Sequence, residues 1–271
     1  MSGLCDLLFE LSSEERVKIM RLIGGEKSKL TSIARALGIT NQECSRHVSR
    51  LAQVGLVAKE SDNSIRLTPY ANQVLSQLRS LEFSSRHRQY FLNHTIAGIP
   101  THFQARLGEL NNSQLLDDVM VVFKNVENMY EEAGEYLLRV TDRFMITILP
   151  YGERAFDRGV TQKLLDPEDI IVPHDYRNTP RYEEAIRTRQ FINRSIKRCD
   201  FFLAMSEKSV ASLSFPRLDG RFDYTGFTSS DPEFHKWCKE LFEHYYAESE
   251  RKAVDWLPRK LEEQAKTRGK T

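Results

Sequence analysis

No uninterrupted apolar run in this sequence is long enough to cross a membrane. Its longest such stretches, like residues 119–123, fall far short of the roughly 20 residues that a span requires. The opening MSGLCDLLFELSSEER has no basic region followed by an apolar core, so no signal peptide is expected. Cysteine is sparse. Cys5, Cys44, Cys199 and Cys238 are scattered with no CxxC pair, which fits the reduced thiols of a cytosol better than a disulfide framework. Charge of one sign is also lacking: 39 basic residues face 38 acidic ones, for a net charge of +1, which excludes a protein that coats polyanions over its whole surface. No GxSxG, HExxH, P-loop or glycine-rich phosphate cradle occurs. The expectation is a soluble, cytoplasmic protein with no membrane partner and no cofactor. Its 271 residues and 40% apolar content suit two domains.

Against these absences, residues 30–67 (LTSIARALGITNQECSRHVSRLAQVGLVAKESDNSIRL) carry a dense local pattern. Residues 31–37 place Ile33, Ala34 and Leu37 on one helical face, and Gly38 follows where a left-handed residue ends a helix. Thr40 is placed to cap a second helix over 41–54, which Gly55 closes. In that helix Cys44, Val48, Leu51 and Ala52 form an apolar stripe that must pack inward. Gln42, Ser45, Arg46, Ser49 and Arg50 share the opposite face, all with hydrogen-bond donors and none with a carboxylate. LVAKESDNSIRL then reads as strand, turn and strand, with 61–64 as the tip.

Arg pairs with guanine edges, Gln with adenine, and hydroxyls with phosphate oxygens, so this face suits a DNA major groove. Thr40, Asn41, Gln42, Ser45, Arg46, Ser49 and Arg50 are the candidate contacts, with Lys59, Asn63 and Arg66 on the ribbon for flanking backbone or minor groove. Between residues 27 and 66 seven basic residues face three acidic ones, so the basic excess is concentrated here. A plain solvated helix face is the rival reading. The stretch GITNQECSRHVSRLAQVGLV resembles the recognition helix and exit of winged helix-turn-helix regulators of the ArsR/MarR type. That resemblance implies a transcription factor, usually dimeric.

Upstream, residues 4–11 and 14–23 read as helices joined by a Ser12/Glu15 capping box. Leu8, Phe9, Val17, Ile19, Met20, Leu22 and Ile23 are expected to form the base of the winged domain. Thr68–Pro69 restarts a helix to about residue 82, with Tyr70, Val74, Leu75, Leu78 and Leu81 as a dimer stripe or a packing face for the next segment. Residues 83–112 read as a helical connector broken near Pro100. His87, His94 and His102 fall there without a carboxylate or cysteine to complete a metal set, so no metal is expected.

The second half alternates helix and strand: a helix over 115–134, a strand over 134–142, and a helix entered at Pro150. A strand over 161–166, a basic helix over 181–198, strands in CDFFLAMSE and SVASLSFP, and a closing helix capped at Asp231–Pro232 follow. Residues 251–271 read as a basic, partly disordered tail.

The runs PYGERAFDRGVTQKLLDPEDIIVP and DGRFDYTGFTSSDPEFHKWCKELFEHYY resemble the effector half of archaeal winged-helix regulators of the methanogenesis-regulator family and, more distantly, the TrmB sugar-responsive regulators. The resemblance implies an α+β chain: a winged helix-turn-helix domain over 1–82, the connector, and over 113–250 an α/β effector domain of phospholipase-D-like layout that senses rather than catalyses. A phospholipase-D site needs His-x-Lys, four residues, then Asp, and neither His174, His235 nor His244 has Lys two residues on. The chain is therefore expected not to be an enzyme.

Open α/β sheets place ligands at the carboxyl ends of their strands. This nominates Thr141, Asp142, Arg143, Tyr151, Asp166 and Arg217 for a polar small-molecule effector, unless they merely cap loops. The expected function is a homodimeric regulator that reads a two-fold-related operator in double-stranded DNA. Its alternatives are a phospholipase-D-like phosphodiesterase remnant, a thiol or metal sensor, and a protein-interaction adaptor.

Overall fold

The computed structural model describes residues 3–253 and 256–268. It divides into two units, Met1–Leu81 and Glu82–Thr271.

The first unit holds α1 (Leu4–Leu11), α2 (Glu14–Leu22), β1 (Ser28–Lys29), α3 (Leu30–Leu37), α4 (Asn41–Gln53), β2 (Val57–Lys59) and β3 (Ser64–Leu67), and the boundary falls within α5 (Pro69–Arg86). Gly38 adopts φ 68° and ends α3 in the left-handed conformation that spares a glycine any Cβ clash. Two residues later Thr40 and Glu43 form a reciprocal capping box at the start of α4. Ile33, Ala34, Cys44, Leu51, Leu56, Ile65 and Leu67 pack with Ile19, Met20 and Ile23 into one core. Thr68 caps α5 by accepting from the Ala71 N–H at 3.1 Å. The three strands order as β1-β3-β2, a small wing whose tip is residues 60–63 rather than 61–64.

Three local expectations shift here. The N-cap of α2 is Ser13, which accepts from the Arg16 N–H, not Ser12, whose hydroxyl instead donates back to the Phe9 carbonyl. Leu8, Phe9 and Leu22 are exposed rather than part of the base, and Ala52 lies outside the buried stripe of α4. The stripe of α5 is split: Val74 and Leu75 pack on the core, whereas Tyr70 and Leu81 are exposed.

The second unit contains α6 (Arg88–Phe91), α7 (Thr101–Gln104), β4 (Gln114–Leu116), α8 (Val119–Glu132), β5 (Tyr136–Val140), α9 (Leu149–Asp157), β6 (Thr161–Pro167) and α10 (Pro180–Arg187). It continues through β7 (Phe191–Ile196), β8 (Phe202–Ser206), β9 (Val210–Ser214), β10 (Gly226–Ser229), α11 (Pro232–Glu248), β11 (Glu250–Arg251) and α12 (Trp256–Arg268). Its sheet runs β11-β7-β6-β5-β8-β9-β10-β4. β5, β6 and β7 are parallel, because α9 and α10 return the chain to the same edge, and the remaining pairings are antiparallel. Side chains alternate between faces: Leu138, Val140, Leu203 and Met205 enter one core with α11, and Leu137, Phe202 and Ala204 enter the other with α8 and α9. The chain is thus α+β, with a winged domain and a separate sheet-based unit.

Several sequence expectations are corrected in this unit. Residues 83–112 are no connector: Phe83, Tyr90, Ile99, Phe103, Leu107 and Leu110 belong to its core. The basic helix expected over 181–198 stops at Arg187, Arg189 takes φ 61°, and residues 191–196 become β7. The helix expected from 115 begins at Val119, after β4. β10 and β11 also went unread. The tail expected over 251–271 forms the end of β11 and α12; its residues 254–255 and 269–271 lie outside the described residues.

Glu10 joins the first unit's helices. Its buried carboxylate accepts from Arg50 Nη2 at 2.7 Å and lies 3.1 Å from Arg16 Nε, which donates to the Glu10 carbonyl at 2.6 Å, tying α1 to α2 and α4. The Arg50 hydrogen bonds hold its carboxyl below the usual range, outweighing burial. Glu10→Ala is expected to cost about 2 kcal/mol, because it leaves the buried Arg16 guanidinium without its counterion. Urea unfolding, with faster amide exchange in α1 and α4, checks this. A depressed folded pKa contributes stability above the unfolded value and loses it as pH falls through the folded value. The gap between wild type and Glu10→Gln should therefore close as pH is lowered from 7 through the carboxylate range.

Candidate functional site

Burial of Cys44 and Leu51 turns the opposite side of α4 outward, where Asn41, Gln42, Ser45, Arg46 and Ser49 are exposed. On the wing Lys59 and Asn63 are exposed, and Asn63 takes φ 60° at the tip, where its N–H donates to the Glu60 carbonyl at 3.0 Å. Lys27 Nζ lies 2.8 Å from Asp62 and braces the same tip; this contact and the Ser64 hydrogen bonds hold the Asp62 carboxyl far below its ordinary range.

Three of the sequence candidates are committed elsewhere. Arg50 is half-buried, chelates Glu10 and lies over the Phe9 ring at 5.2 Å, so it holds α1 in place rather than presenting a free fork. Thr40 donates its hydroxyl to Glu43 Oε2 at 2.8 Å and accepts the Glu43 N–H, both within the cap. Arg66 pairs with Glu60 across the wing. The surface that remains is five residues of α4 with Lys59 and Asn63.

The second unit encloses a cavity of about 400 Å³ on the β5–β6–β7 face, between the sheet and residues of α10 and α12. Thr141, Arg143 and Asp166 line it as expected from the strand ends. Asp142, Tyr151 and Arg217 do not. Asp142 accepts from the Tyr224 hydroxyl at 2.6 Å, Tyr151 packs in the α8–α9 core beneath Arg154, and Arg217 lies 3.9 Å from Asp223. Sequence reasoning missed Arg139, Gln162, Asn193 and Lys252, all in the lining. For Arg139 the signal was present: a single charge inside the apolar strand YLLRV.

Lys252 bonds Asp166, and both side chains are almost wholly buried, 5% and 2% exposed. Burial pushes the Asp166 carboxyl up and the Lys252 amine down, while their contact opposes both shifts. The histidines of 83–112 are structural. His87 packs on Phe83 and Phe227 with burial pushing its pKa down, His94 stacks on Tyr90 and bonds Asp223, and His102 lies near His244. Among the described residues no three His, Cys, Asp or Glu side chains converge as a metal set, and no helix is long and apolar enough to cross a membrane.

Residues 11–60 match the helix-turn-helix domain family. No curated protein sequence matches the chain. Among solved structures, TrmBL2, an archaeal chromatin protein, is 16% identical, with a TM-score of 0.43 over 86% of this chain and 92% of that one. NucT from Helicobacter pylori is 11% identical, with a TM-score of 0.39 over 52% of this chain and 97% of its own. The phospholipase D family member Nuc from Salmonella typhimurium is 12% identical, with a TM-score of 0.37 over the same shares, 52% and 97%. Likenesses of this size carry no functional weight. The matched family places a helix-turn-helix domain at residues 11–60, where α3 and α4 form it.

Burial pushes the Cys44 thiol up, and its Sγ faces the Leu30 carbonyl at 3.7 Å. Cys5 is exposed, whereas Cys238 is buried with its thiol also pushed well up. Iodoacetamide at neutral pH is expected to label Cys5 and spare Cys44 and Cys238, as peptide mass spectrometry would record. Labelling of Cys44 at the rate of Cys5 would restore a thiol-sensing role for α4.

Proposed function

We propose that the chain is a sequence-specific DNA-binding transcriptional regulator that acts as a homodimer and carries a ligand-sensing second unit. The observation that carries this reading is the outward face of α4, five exposed polar side chains including Arg46 on a helix whose other face is locked into the core. In this reading α4 enters the major groove, the wing residues Lys59 and Asn63 meet flanking backbone, and two copies read half-sites about 34 Å apart. The exposed Tyr70 and Leu81 of α5 support self-association through that helix.

The second unit is read as binding rather than catalytic. Among the described residues its cavity is lined by no histidine, serine or cysteine, and its carboxylate Asp166 is occupied by Lys252 and Asn193. These groups suit recognition better than nucleophilic attack.

The test begins with selection of operator fragments from random-sequence DNA by the full chain, followed by titration of the selected site. Arg46→Ala should weaken specific binding by about 1–3 kcal/mol and relax preference at one base pair. Lys59→Ala should weaken all sequences alike and reduce the salt slope by about one. Arg50→Ala should act through lost stability instead. Arg46→Ala and Lys59→Ala both binding like wild type at every salt concentration would refute the assignment, and a monomer on selected DNA by sedimentation would refute the dimer.

A further inference from the structure

Arg139 sits in mid-strand on β5, 5% exposed, pointing to the sheet face opposite Leu138 and Val140. Its Nη1 donates to the Tyr130 hydroxyl at 2.9 Å and its Nη2 faces Met145 Sδ at 3.4 Å. Its Nε has no partner, and Arg139 makes no ion pair among the described residues. A guanidinium stays charged at any pH a protein tolerates, so burying one without an anion is expensive. Arg139 also lines the cavity, so its missing counterion has space to enter.

The surroundings extend the same demand. Among the described residues Arg139, Arg143, Arg189, Arg251 and Lys252 line the cavity with one carboxylate, Asp166, which Lys252 neutralises. Arg143 lies 3.6 Å from Asp142, and Arg189 and Arg251 are exposed, so Arg139 is the buried cation left without an anion. Next to the pair, Asn193 Nδ2 donates to Asp166 Oδ2 at 3.1 Å, which fixes the amide and leaves Asn193 Oδ1 a buried acceptor with no donor. Gln162 Nε2 is held at 2.8 Å by the Tyr130 hydroxyl, and its Oε1 is likewise unpartnered. Phe144, Tyr176, Tyr182, Phe191 and Trp256 supply flat apolar walls. The volume of about 400 Å³ falls in the roughly 300–1,000 Å³ range of small-molecule sites.

We propose that this cavity binds a small organic anion, whose carboxylate or phosphate pairs with Arg139 while an N–H or O–H group donates to Asn193 Oδ1 and its flat body lies between the aromatic walls. The proposal names the chemistry of the effector and rests on the reading of the second unit as a ligand sensor. Arg139 Nε supplies the donor that the anion takes up, and no proton or bond changes hands.

Calorimetric and thermal-shift titrations of the full chain test it in two arms. One arm uses nucleoside 5′-monophosphates beside their neutral nucleosides, and the other uses phenylpyruvate and related aryl carboxylates beside their amides, with inorganic phosphate as the bare anion. In at least one arm the anion should raise Tm by several degrees and bind at least tenfold more tightly than its neutral counterpart. Arg139→Met should lose at least tenfold of that affinity, with an unliganded Tm equal to or above that of wild type, since it removes an uncompensated charge. Asn193→Leu, which leaves Arg139 intact, should weaken binding less and blur discrimination between probes. Binding by neither arm, equal binding of neutral counterparts, or affinity unchanged in both variants would overturn the proposal. Operator titration with the bound anion separates the two readings. Unchanged DNA affinity would remove the sensing role and leave the anion site, whereas a neutral ligand that shifts DNA affinity would do the reverse.

Discussion

A helix can bury only one face, and in α4 Cys44 and Leu51 determine which. Both are wholly inside the first unit's core, so at 3.6 residues per turn Gln42, Ser45, Arg46 and Ser49 have nowhere to point but outward. The Thr40–Glu43 capping box fixes where the helix starts, and Gly38 fixes the turn before it. A shift of one residue in either would rotate the donor face by about 100°. The outward donor face is therefore a consequence of the core, not a feature added to it.

This explains why the first unit was so readable. Its signals are local: a left-handed glycine, a Thr cap with Glu three residues on, and an apolar stripe within one helix. On the polar face of α4 reading failed where a distant residue intervened. Arg50 shares the polar face of α4 by spacing, and nothing near it in sequence shows that Glu10, 40 residues earlier, holds it. The miss at Ser13 is local: it takes the cap while the hydroxyl of its neighbour Ser12 is bonded back to the Phe9 carbonyl of α1.

The second unit was harder because strand pairing is non-local. Residues 191–196 continue the basic run of α10 in sequence, and their parallel register with β6, from Gln162 opposite Phe191 to Pro167 opposite Ile196, sets them in the sheet as a strand. Once β7 lies beside β6, Asn193 comes level with Leu164, and Arg139 of β5 is level with the same residue. That cross-strand row is invisible in a linear reading, so the strand-end rule found Thr141, Arg143 and Asp166 but not the mid-strand Arg139 or Asn193. Lys252 was missed for a related reason: a tail judged by its basic composition returns through β11 to deliver one amine to Asp166.

The two units differ in how solvent treats their charge. Arg46 and Lys59 are exposed, so salt at physiological strength screens them beyond about 8 Å and counterion release governs any contact they make with phosphates. Arg139 is enclosed, so mobile ions screen it little and an anion meeting it gains from a lower local dielectric. Attraction at the first surface is broad and tunable by salt; at the second it is selective, because the anion must also fit the aromatic walls and satisfy Asn193. For an occupant of the cavity to change DNA affinity, it must bind two arrangements of the chain unequally, and the linkage must be reciprocal. A buried guanidinium that lacks its anion in one arrangement and gains it in another supplies that inequality with one group, whereas surface charges, already solvated in both, do not.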